Sequence, residues 1–272
     1  MKQRSERKRL PCGIDTLEIE ITDDGSRTLK SRLTGDSYHS ASGGLTETRQ
    51  VYLRNSGVEP RLTSGQRCRV LEIGLGTGMG MLVTVDCAAR HQAPLYYVAV
   101  EYEWLAASVI GELDPASWVN DRSIVENYLS WRATVPPRGT NLGSPSAGRA
   151  PSLVSRPPQA GEVSVHRWQA GNEQVVEVHL ADALRWEHPG GSFDAIYFDP
   201  FAPHSNTELW QVPMLRKMEK LLSPTGRLVT YCVKREVRDR LSEVGFVVQK
   251  LPGPAAGKRE VLVAAKEGGL LS

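Results

Sequence analysis

VLEIGLGTG, residues 70–78, is the stretch that decides the fold of this 272-residue chain. It joins a run of strand-forming apolar residues to three glycines at alternate positions, and a helical pattern from Met79 to Arg90 follows. Glycine lets the backbone turn sharply and approach a ligand without interference from a Cβ atom. The start of the helix then presents unpaired N–H groups to a carboxylate or phosphate. This strand, loop and helix predict a cofactor-binding loop.

The glycine spacing distinguishes between two classes of cofactor. A dinucleotide fold needs GxGxxG, but a pattern begun at Gly74 places Met79 at the third glycine, and one begun at Gly76 places Met81 there. The GxGxG spacing suits S-adenosylmethionine, whose amino-acid end replaces the pyrophosphate. We therefore predict S-adenosyl-L-methionine as the cofactor. The predicted cofactor residues of this segment are Glu72, Gly74, Gly76, Thr77 and Gly78.

Strand and helix patterns alternate along the rest of the chain. Strands are predicted at 69–73, 95–100, 175–180, 193–198 and 227–233, helices at 79–90, 214–222 and 236–244, and a closing hairpin at 246–251 and 261–265. A further strand at 17–21 is predicted to lie at a sheet edge. The alternation predicts an α/β, Rossmann-like fold with a mostly parallel sheet and helices on both faces. Ligands of such sheets bind beyond the carboxyl ends of the strands.

Two carboxylates follow predicted strands at that edge. Glu101 ends the strand after the glycine loop and its helix, where an acidic residue can accept hydrogen bonds from both ribose hydroxyls. Asp182 follows the strand that ends at Leu180, and we predict that it contacts the adenine end of the cofactor. A helix N-cap explains Asp182 nearly as well.

The segment DPFAP, residues 199–203, is the candidate catalytic loop. A core strand delivers Asp199 at its carboxyl end, and two prolines stiffen the loop behind it. A carboxylate held there can orient a nucleophilic amine and favour the loss of its proton, although it could instead only cap a turn. Phe201 and Trp210 could stack on an extruded base, and core packing is an equally good explanation for either ring.

Several blocks, taken in order, resemble a known family. They are GLTETR at 44–49, VYL at 51–53, LEIGLGTG at 71–78, VE at 100–101, DPFAP at 199–203, TY at 230–231 and GKRE at 257–260. The chain resembles the MnmC-like family, the methyltransferase domain of the tRNA 5-methylaminomethyl-2-thiouridine biosynthesis proteins, in a stand-alone form without the FAD oxidase domain. The resemblance covers roughly 36–132 and 163–266, and the GLxET and GKRE blocks make it specific.

The resemblance implies a class I methyltransferase fold and methylation of the amine of 5-aminomethyl(-2-thio)uridine at the tRNA wobble position. It implies tRNA as the partner, and a separate enzyme that supplies the aminomethyl intermediate. Asp199 would be the catalytic aspartate and Glu101 the ribose ligand. The residues implied at the rim of the active site or near the substrate are Glu47, Thr48, Arg49, Lys258 and Arg259. The chain departs from the family at Pro200, where Gly or Ala is usual, and at Thr207, where Pro is usual.

Composition adds general expectations. Hydrophobic residues at 40% and charged residues at 24% are typical of a soluble globular protein, and a net charge of +2 is too small to diagnose a nucleic-acid binder. The four scattered cysteines form no CxxC pair, so no metal site is expected. Without a run of about 18 apolar residues, we expect no membrane contact and a cytoplasmic location.

The same patterns suggest a division of the chain. We expect a basic, partly flexible N-terminal extension at 1–35, a methyltransferase domain at 36–266 and a C-terminal tail at 267–272. Residues 132–162 are rich in Pro, Gly and Ser, which indicates an insertion that buries little surface.

Two other functions stay open on the sequence. One is a different amine N-methyltransferase that acts on a small molecule or a DNA base, because residues 199–201 resemble the D-P-P-[YF] loop of amino-group DNA methylases. The other is a catalytically inactive relative that binds RNA and keeps only the cofactor fold.

Overall fold

The computed structural model of the chain describes residues 7–135, 162–188, 190–255, 257 and 259–269. Its strands, in chain order, are β1 (Arg9–Pro11), β2 (Leu17–Ile21), β3 (Arg27–Ser31), β4 (Cys68–Ile73), β5 (Leu95–Glu101), β6 (Ser164–Gln169), β7 (Gln174–Leu180), β8 (Phe193–Phe198), β9 (Leu222–Thr230), β10 (Val247–Pro252) and β11 (Glu260–Ala265). Its α-helices are α1 (Gly44–Glu47), α2 (Val58–Thr63), α3 (Met79–Arg90), α4 (Ala107–Gly111), α5 (Arg122–Thr134), α6 (Val212–Leu221) and α7 (Arg235–Glu243). A π-helix covers Thr48–Arg54, and 3₁₀ turns cover Pro115–Ser117 and Thr207–Trp210. Most of the predicted insertion at 132–162 lies outside the described residues.

In the described part of the chain, the main sheet has the strand order β10-β11-β9-β8-β4-β5-β7-β6. β4, β5, β7, β8 and β9 run parallel to one another, while β6, β10 and β11 pair with their neighbours in antiparallel fashion. The chain proceeds from β4 toward β5 and β7 on one side and then returns to β8 and β9 on the other. This reversal beside β4 is where α/β folds bind their ligands. The predicted α/β fold with a mostly parallel sheet is confirmed.

Side chains of the parallel strands pack into two core layers, because successive residues of a strand point to opposite faces. Val70 and Tyr197 belong to the layer that also contains the buried sides of α2, α3 and α5. Leu71 and Phe198, one residue further along each strand, pack with α6 and α7 on the other face. Helices therefore cover both faces of the sheet, as predicted.

A small antiparallel sheet of order β1-β2-β3 precedes the main sheet in the described chain. The strand that was predicted at a sheet edge, β2, is in fact the middle strand and pairs with both neighbours. Leu17, Ile19 and Leu29 are buried in the same core layer as α3. This sheet therefore packs on the main body and positions the segment that follows it, 36–40. The domain boundary at residue 35 stays a prediction.

One difference from the predicted elements lies near Leu222. We expected a helix through Leu222 that stops at Pro224, but α6 ends at Leu221 and β9 begins at the next residue. The pairing of β8 with β9 shifts register between Phe193 and Ala195. Pro224 lies within this irregular stretch, where its missing N–H removes no ladder hydrogen bond. The sequence also did not predict α5 and β6.

Two kinds of feature are absent from the described residues. No helix there is both long and apolar enough to cross a membrane. No group of three or more His, Cys, Asp or Glu side chains converges there in a way that could hold a metal ion.

Candidate active site

The carboxyl ends of four parallel strands, β4, β5, β7 and β8, open into one cavity of about 560 Å³. The cavity lies at the sheet edge that the loops after these strands form together. Among the residues that line it are predicted cofactor and catalytic residues from four different loops: Gly74, Gly76, Thr77, Glu101, Asp182 and Asp199. The structure therefore brings together side chains that are up to 125 positions apart in the chain, from Gly74 to Asp199.

The glycine loop has a backbone that other residues adopt only with strain. Gly74, Gly76 and Gly78 have φ angles of +89°, +52° and +83°. A Cβ atom at Gly74 would lie 2.8 Å from the backbone oxygen of Asp199, and one at Gly78 would lie 2.7 Å from Oη of Tyr128. The glycines thus let the loop pack against the catalytic loop on one side and against α5 on the other. Gly78 caps α3 and does not line the cavity.

Glu101 joins the glycine loop to the end of β5. Its Oε2 accepts a hydrogen bond from the N–H of Gly76 at 2.7 Å, and its Oε1 accepts one from the N–H of Glu103 at 2.7 Å. Burial raises the pKa of Glu101, and these two N–H donors oppose that increase. Since each carboxylate oxygen can accept more than one hydrogen bond, Glu101 also fits the ribose hydroxyls of S-adenosylmethionine. The start of α3 fits the cofactor's carboxylate.

Asp182 lines the cavity and also caps a turn. Its Oδ1 accepts a hydrogen bond from the N–H of Leu184 at 3.0 Å, and its backbone oxygen accepts from Arg185 and Trp186 at 3.0 and 2.8 Å. The structure therefore contains the capping contact that the sequence allowed as an alternative. The contact of Asp182 with the cofactor stays a prediction.

Glu72 is a predicted cofactor residue that the structure keeps away from the cavity. It lies on the face of β4 toward α3, and its Oε1 would be 2.7 Å from a Cβ atom at Gly80. Successive side chains of a strand point to opposite faces of the sheet, and Glu72 occupies a position whose side chain points into the layer that contains α3. The side chain is 3% exposed, and its Oε2 has no hydrogen-bond partner among the described residues. Burial, together with the charges of Asp199 and Glu101, raises its pKa well above the ordinary value.

Glu72→Gln is expected to stabilise the protein at pH 7. Folding raises the pKa of Glu72 above 4.5, its ordinary value in the unfolded chain. As the pH rises above 4.5, the carboxyl ionises in the unfolded chain but stays protonated in the folded protein, so the folded protein loses stability. Glutamine has no such loss, and we expect a gain of about 1 kcal/mol or more at pH 7, because one pKa unit corresponds to about 1.4 kcal/mol. Denaturant unfolding at pH 4 and pH 7 measures this gain. An equal difference at both pH values would contradict the assignment.

Asp199 stands half-buried at the end of β8, and two tyrosines hold its loop. Tyr52, on the π-helix, donates a hydrogen bond from Oη to Oδ1 of Asp199. Tyr231 donates from Oη to the backbone oxygen of Pro200 at 2.9 Å. Burial and the charge of Asp199 raise the pKa of Tyr52 well above its ordinary value, so its phenol remains a donor. Neither tyrosine was assigned a role from the sequence, although both lie in the blocks that carry the family resemblance.

Tyr52→Phe is expected to lower kcat by about tenfold while cofactor affinity changes less than twofold. The variant keeps the ring but removes a hydrogen bond to a charged group, which is worth about 1.5–3 kcal/mol. Tyr96→Phe is the matched control, because it removes a hydrogen bond of the same kind, from Oη of Tyr96 to Oε2 of Glu177 at 2.6 Å, away from the cavity. Steady-state kinetics of both variants test this, and equal effects of the two substitutions would refute a specific role for Tyr52.

The residues implied at the acceptor side are only partly brought together. Glu47 and Thr48 line the cavity, as the resemblance implies. Arg49 does not line it, since its Nη2 donates to the backbone oxygen of Trp118 at 3.0 Å. Arg259 is exposed on the loop between β10 and β11, outside the cavity lining. Lys258 lies outside the described residues.

The two aromatic candidates differ in position. Phe201 lines the cavity, where its ring meets the edge of Tyr38 with centroids 5.1 Å apart. Trp210 is 0% exposed, and its Nε1 donates to the backbone oxygen of Phe201 at 2.8 Å. The indole also packs edge-on against Phe198. Stacking of Trp210 on a base is therefore wrong and core packing is correct, because the 3₁₀ turn directs this ring inward.

The segment 36–40 contributes to the cavity although no sequence pattern indicated it. The ring of Tyr38 contacts Gly76, whose Cβ would lie 3.1 Å from it. The imidazole of His39 bridges Oγ1 of Thr28, at 3.0 Å, and Oγ1 of Thr77, at 3.3 Å. Burial lowers the pKa of His39 to about 4, so the ring is neutral at pH 7. The small N-terminal sheet is thereby joined to the cofactor loop.

Several known proteins are similar to this chain in sequence, and one solved structure is similar to it in fold. The model of a family described as S-adenosyl-L-methionine-dependent methyltransferase matches residues 153–267. The tRNA 5-methylaminomethyl-2-thiouridine biosynthesis bifunctional protein MnmC of Paracidovorax citrulli is 32% identical over 236 residues, which cover 80% of this chain and 31% of that protein. MnmC of Aromatoleum aromaticum is 28% identical over 253 residues, covering 91% of this chain and 35% of that protein. The chain thus spans about a third of the length of these curated relatives.

One solved structure shares the fold over nearly the whole chain. The crystal structure of MNMC2 from Aquifex aeolicus superposes with a TM-score of 0.67 at 22% sequence identity, covering 96% of this chain and 71% of that one. The glycine loop, Glu101 and Asp199 converge on one cavity of this fold. The chain therefore has the class I methyltransferase fold and is related to MnmC, and its residues 153–267 match an S-adenosyl-L-methionine-dependent methyltransferase family.

Proposed function

We propose that this protein methylates the exocyclic amine of 5-aminomethyluridine, or of its 2-thio form, at the wobble position of tRNA. The observation that carries the proposal is an acidic acceptor end of the cavity, where Asp199 and Glu47 both line the wall beside Tyr52. An alkylammonium group is complementary to such carboxylates. The names of the MnmC relatives, which refer to 5-methylaminomethyl-2-thiouridine in tRNA, supply the substrate class.

The chemistry divides between cofactor and protein. S-adenosylmethionine supplies, when bound, an electrophilic methyl group on a sulfonium. The primary amine must lose a proton before it can attack, and Asp199, which accepts a hydrogen bond from the amine, accepts that proton as a general base. Tyr52 holds one oxygen of Asp199, so the orientation of the carboxylate is set before the substrate arrives. Glu47 adds negative charge that favours binding of the cationic form.

Exposed basic side chains support a contact with tRNA. On and beside α7, the side chains of Lys234 and Arg235 are 50% and 86% exposed, and they pair at the surface with Glu236 at 4.0 Å and Asp239 at 3.6 Å, contacts that phosphate groups would replace. Arg240, in contrast, donates to the backbone oxygen of Trp210 at 3.2 Å and supports the core. Phosphate contacts by Lys234 and Arg235 would make tRNA affinity fall as salt rises.

A nucleoside assay tests the proposal. Purified protein, labelled S-adenosylmethionine and tRNA that carries the 5-aminomethyl group, which a separate enzyme supplies, are incubated, and the nucleosides are separated by mass spectrometry. We expect label in one methylated uridine of the tRNA, and a rate of labelling about 10³-fold lower when Asp199 is replaced by Asn. Small amines and DNA serve as competing acceptors in parallel reactions. Label in either of these, without label in tRNA, would identify the other amine N-methyltransferase. Calorimetric binding of the cofactor without transfer to any acceptor would identify an inactive relative.

A further inference from the structure

The end of the cavity away from Asp199 is formed by a short turn that belongs to neither a strand nor a helix. Residues 181–184 follow β7 and line the cavity through Ala181, Asp182, Ala183 and Leu184. The turn closes through the backbone oxygen of Asp182, which accepts from the N–H groups of Arg185 and Trp186. A turn this short has few internal hydrogen bonds, so its shape depends on what its carbonyl oxygens contact.

The side-chain ammonium group of Lys217 binds carbonyl oxygens of this turn. Nζ of Lys217, on α6, donates to the backbone oxygens of Ala183, Leu184 and Trp186 at 3.1, 2.8 and 2.8 Å. An ammonium has three protons, so all its donors are used in this contact. A cation at the carbonyl end of a helical turn is also favoured by the turn's dipole. Partial burial lowers the pKa of Lys217, while Glu187 and Asp182 oppose this effect.

The other side of the turn is fixed by an indole. Trp186 is 1% exposed, and its Nε1 donates to Nδ1 of His179 on β7 at 2.9 Å. β7 pairs with β5 so that Leu180 lies opposite Glu101. The turn is therefore held between β7, which carries it beside Glu101 at the end of β5, and α6, which carries Lys217. Lys217 itself does not line the cavity.

We propose that Lys217 is a positioning residue for the cofactor: it sets the shape of the 181–184 wall by holding three carbonyl oxygens of the turn, and it thereby determines the affinity for S-adenosylmethionine. It takes no part in the methyl transfer. Loss of the ammonium leaves three carbonyl oxygens without their donor, and the turn relaxes away from the shape that the cofactor requires. The effect falls on cofactor binding and leaves the surroundings of Asp199 unchanged.

The test compares Lys217→Met with Lys220→Met, which removes a lysine from the exposed side of the same helix. Calorimetry with S-adenosylhomocysteine and S-adenosylmethionine measures affinity without any acceptor, so the result does not depend on the tRNA substrate. We expect Kd to rise about tenfold in Lys217→Met, since each lost hydrogen bond involves a charged donor, and to stay within about twofold in Lys220→Met. Lys217→Arg, which keeps a cation in reach of the carbonyl oxygens, should recover most of the affinity.

Kinetics and hydrogen exchange separate this role from a general loss of stability. With cofactor at saturating concentration, kcat of Lys217→Met should equal that of the wild type, while KM for the cofactor rises. Amide hydrogens of Arg185 and Trp186, which donate to Asp182, should exchange faster in Lys217→Met, whereas those of β4 should not. An unchanged Kd, or a lower kcat at saturating cofactor, would overturn the proposal. A variant that exchanges faster throughout the sheet would also overturn it, because the lysine would then only support the fold.

Discussion

Asp199→Asn is expected to lower kcat for methyl transfer by about 10³-fold, the size of effect that a lost general base produces, while S-adenosylmethionine binds with nearly unchanged affinity. The asparagine oxygen can still accept the hydrogen bond from Tyr52, so the loop keeps its position. What is lost is the basic carboxylate oxygen that accepts the proton released by the ammonium before the amine attacks the methyl group. Calorimetry with the cofactor and single-turnover kinetics with the acceptor measure the two quantities separately.

Asp194→Asn provides the matched control for Asp199→Asn. Asp194 lies on the same strand, five positions earlier, and accepts a hydrogen bond from the N–H of Arg69 at 2.8 Å. It does not line the cavity, so its replacement should leave kcat within about threefold of the wild type. Equal losses of activity in the two variants, or turnover of Asp199→Asn at the wild-type rate, would show that Asp199 is not the catalytic carboxylate.

Gly74→Ala is expected to lower cofactor affinity by about a hundredfold and to destabilise the fold by about 1–3 kcal/mol. Two causes add at this position. The φ angle of +89° is strained for alanine, and the new Cβ atom would lie 2.8 Å from the backbone oxygen of Asp199. The contact is with backbone, so relief of the clash must move the glycine loop away from the catalytic loop. Calorimetry and denaturant unfolding measure both effects.

Gly65→Ala separates the two causes. Gly65 has a φ angle of +71°, and nothing lies within 4 Å of a Cβ atom built there. This variant therefore reports the conformational strain alone, and we expect it to lose about 1 kcal/mol of stability with unchanged cofactor affinity. Equal cofactor affinity in Gly74→Ala and Gly65→Ala would show that close packing of the glycine loop against the catalytic loop is not required for cofactor binding.

The fold could be predicted from sequence because its signals are local. Strand residues, three glycines and a helix stand next to one another in residues 70–90, and helix α3 has the bounds that its apolar pattern indicated. The carboxylates after β5, β7 and β8 could be placed at one edge because parallel strands end together. The end of α6 was missed by one residue because Pro224, read as a helix stop, lies in an irregular stretch of β9.

The site could be predicted only where position along a strand decides a residue's direction. Asp199 and Glu101 end their strands and line the cavity, whereas Glu72 lies within β4 and faces α3. Trp210 follows the catalytic loop closely in sequence, yet a 3₁₀ turn directs it into the core. The order of motifs thus predicted which loops meet at the site, and the direction of individual side chains within them required the structure.

The sequence by itself determined the cofactor loop, the mostly parallel sheet and the carboxylate that ends β8, because each depends on neighbours within a few residues. Only the tertiary structure decided that Tyr52 holds Asp199, that His39 joins Thr28 to Thr77, and that Lys217 supports the wall at 181–184. These contacts join residues that are separated by 11 to 147 positions. No local pattern encodes such pairs, since hydrogen bonds between distant segments form only after the core has packed the strands and helices into register.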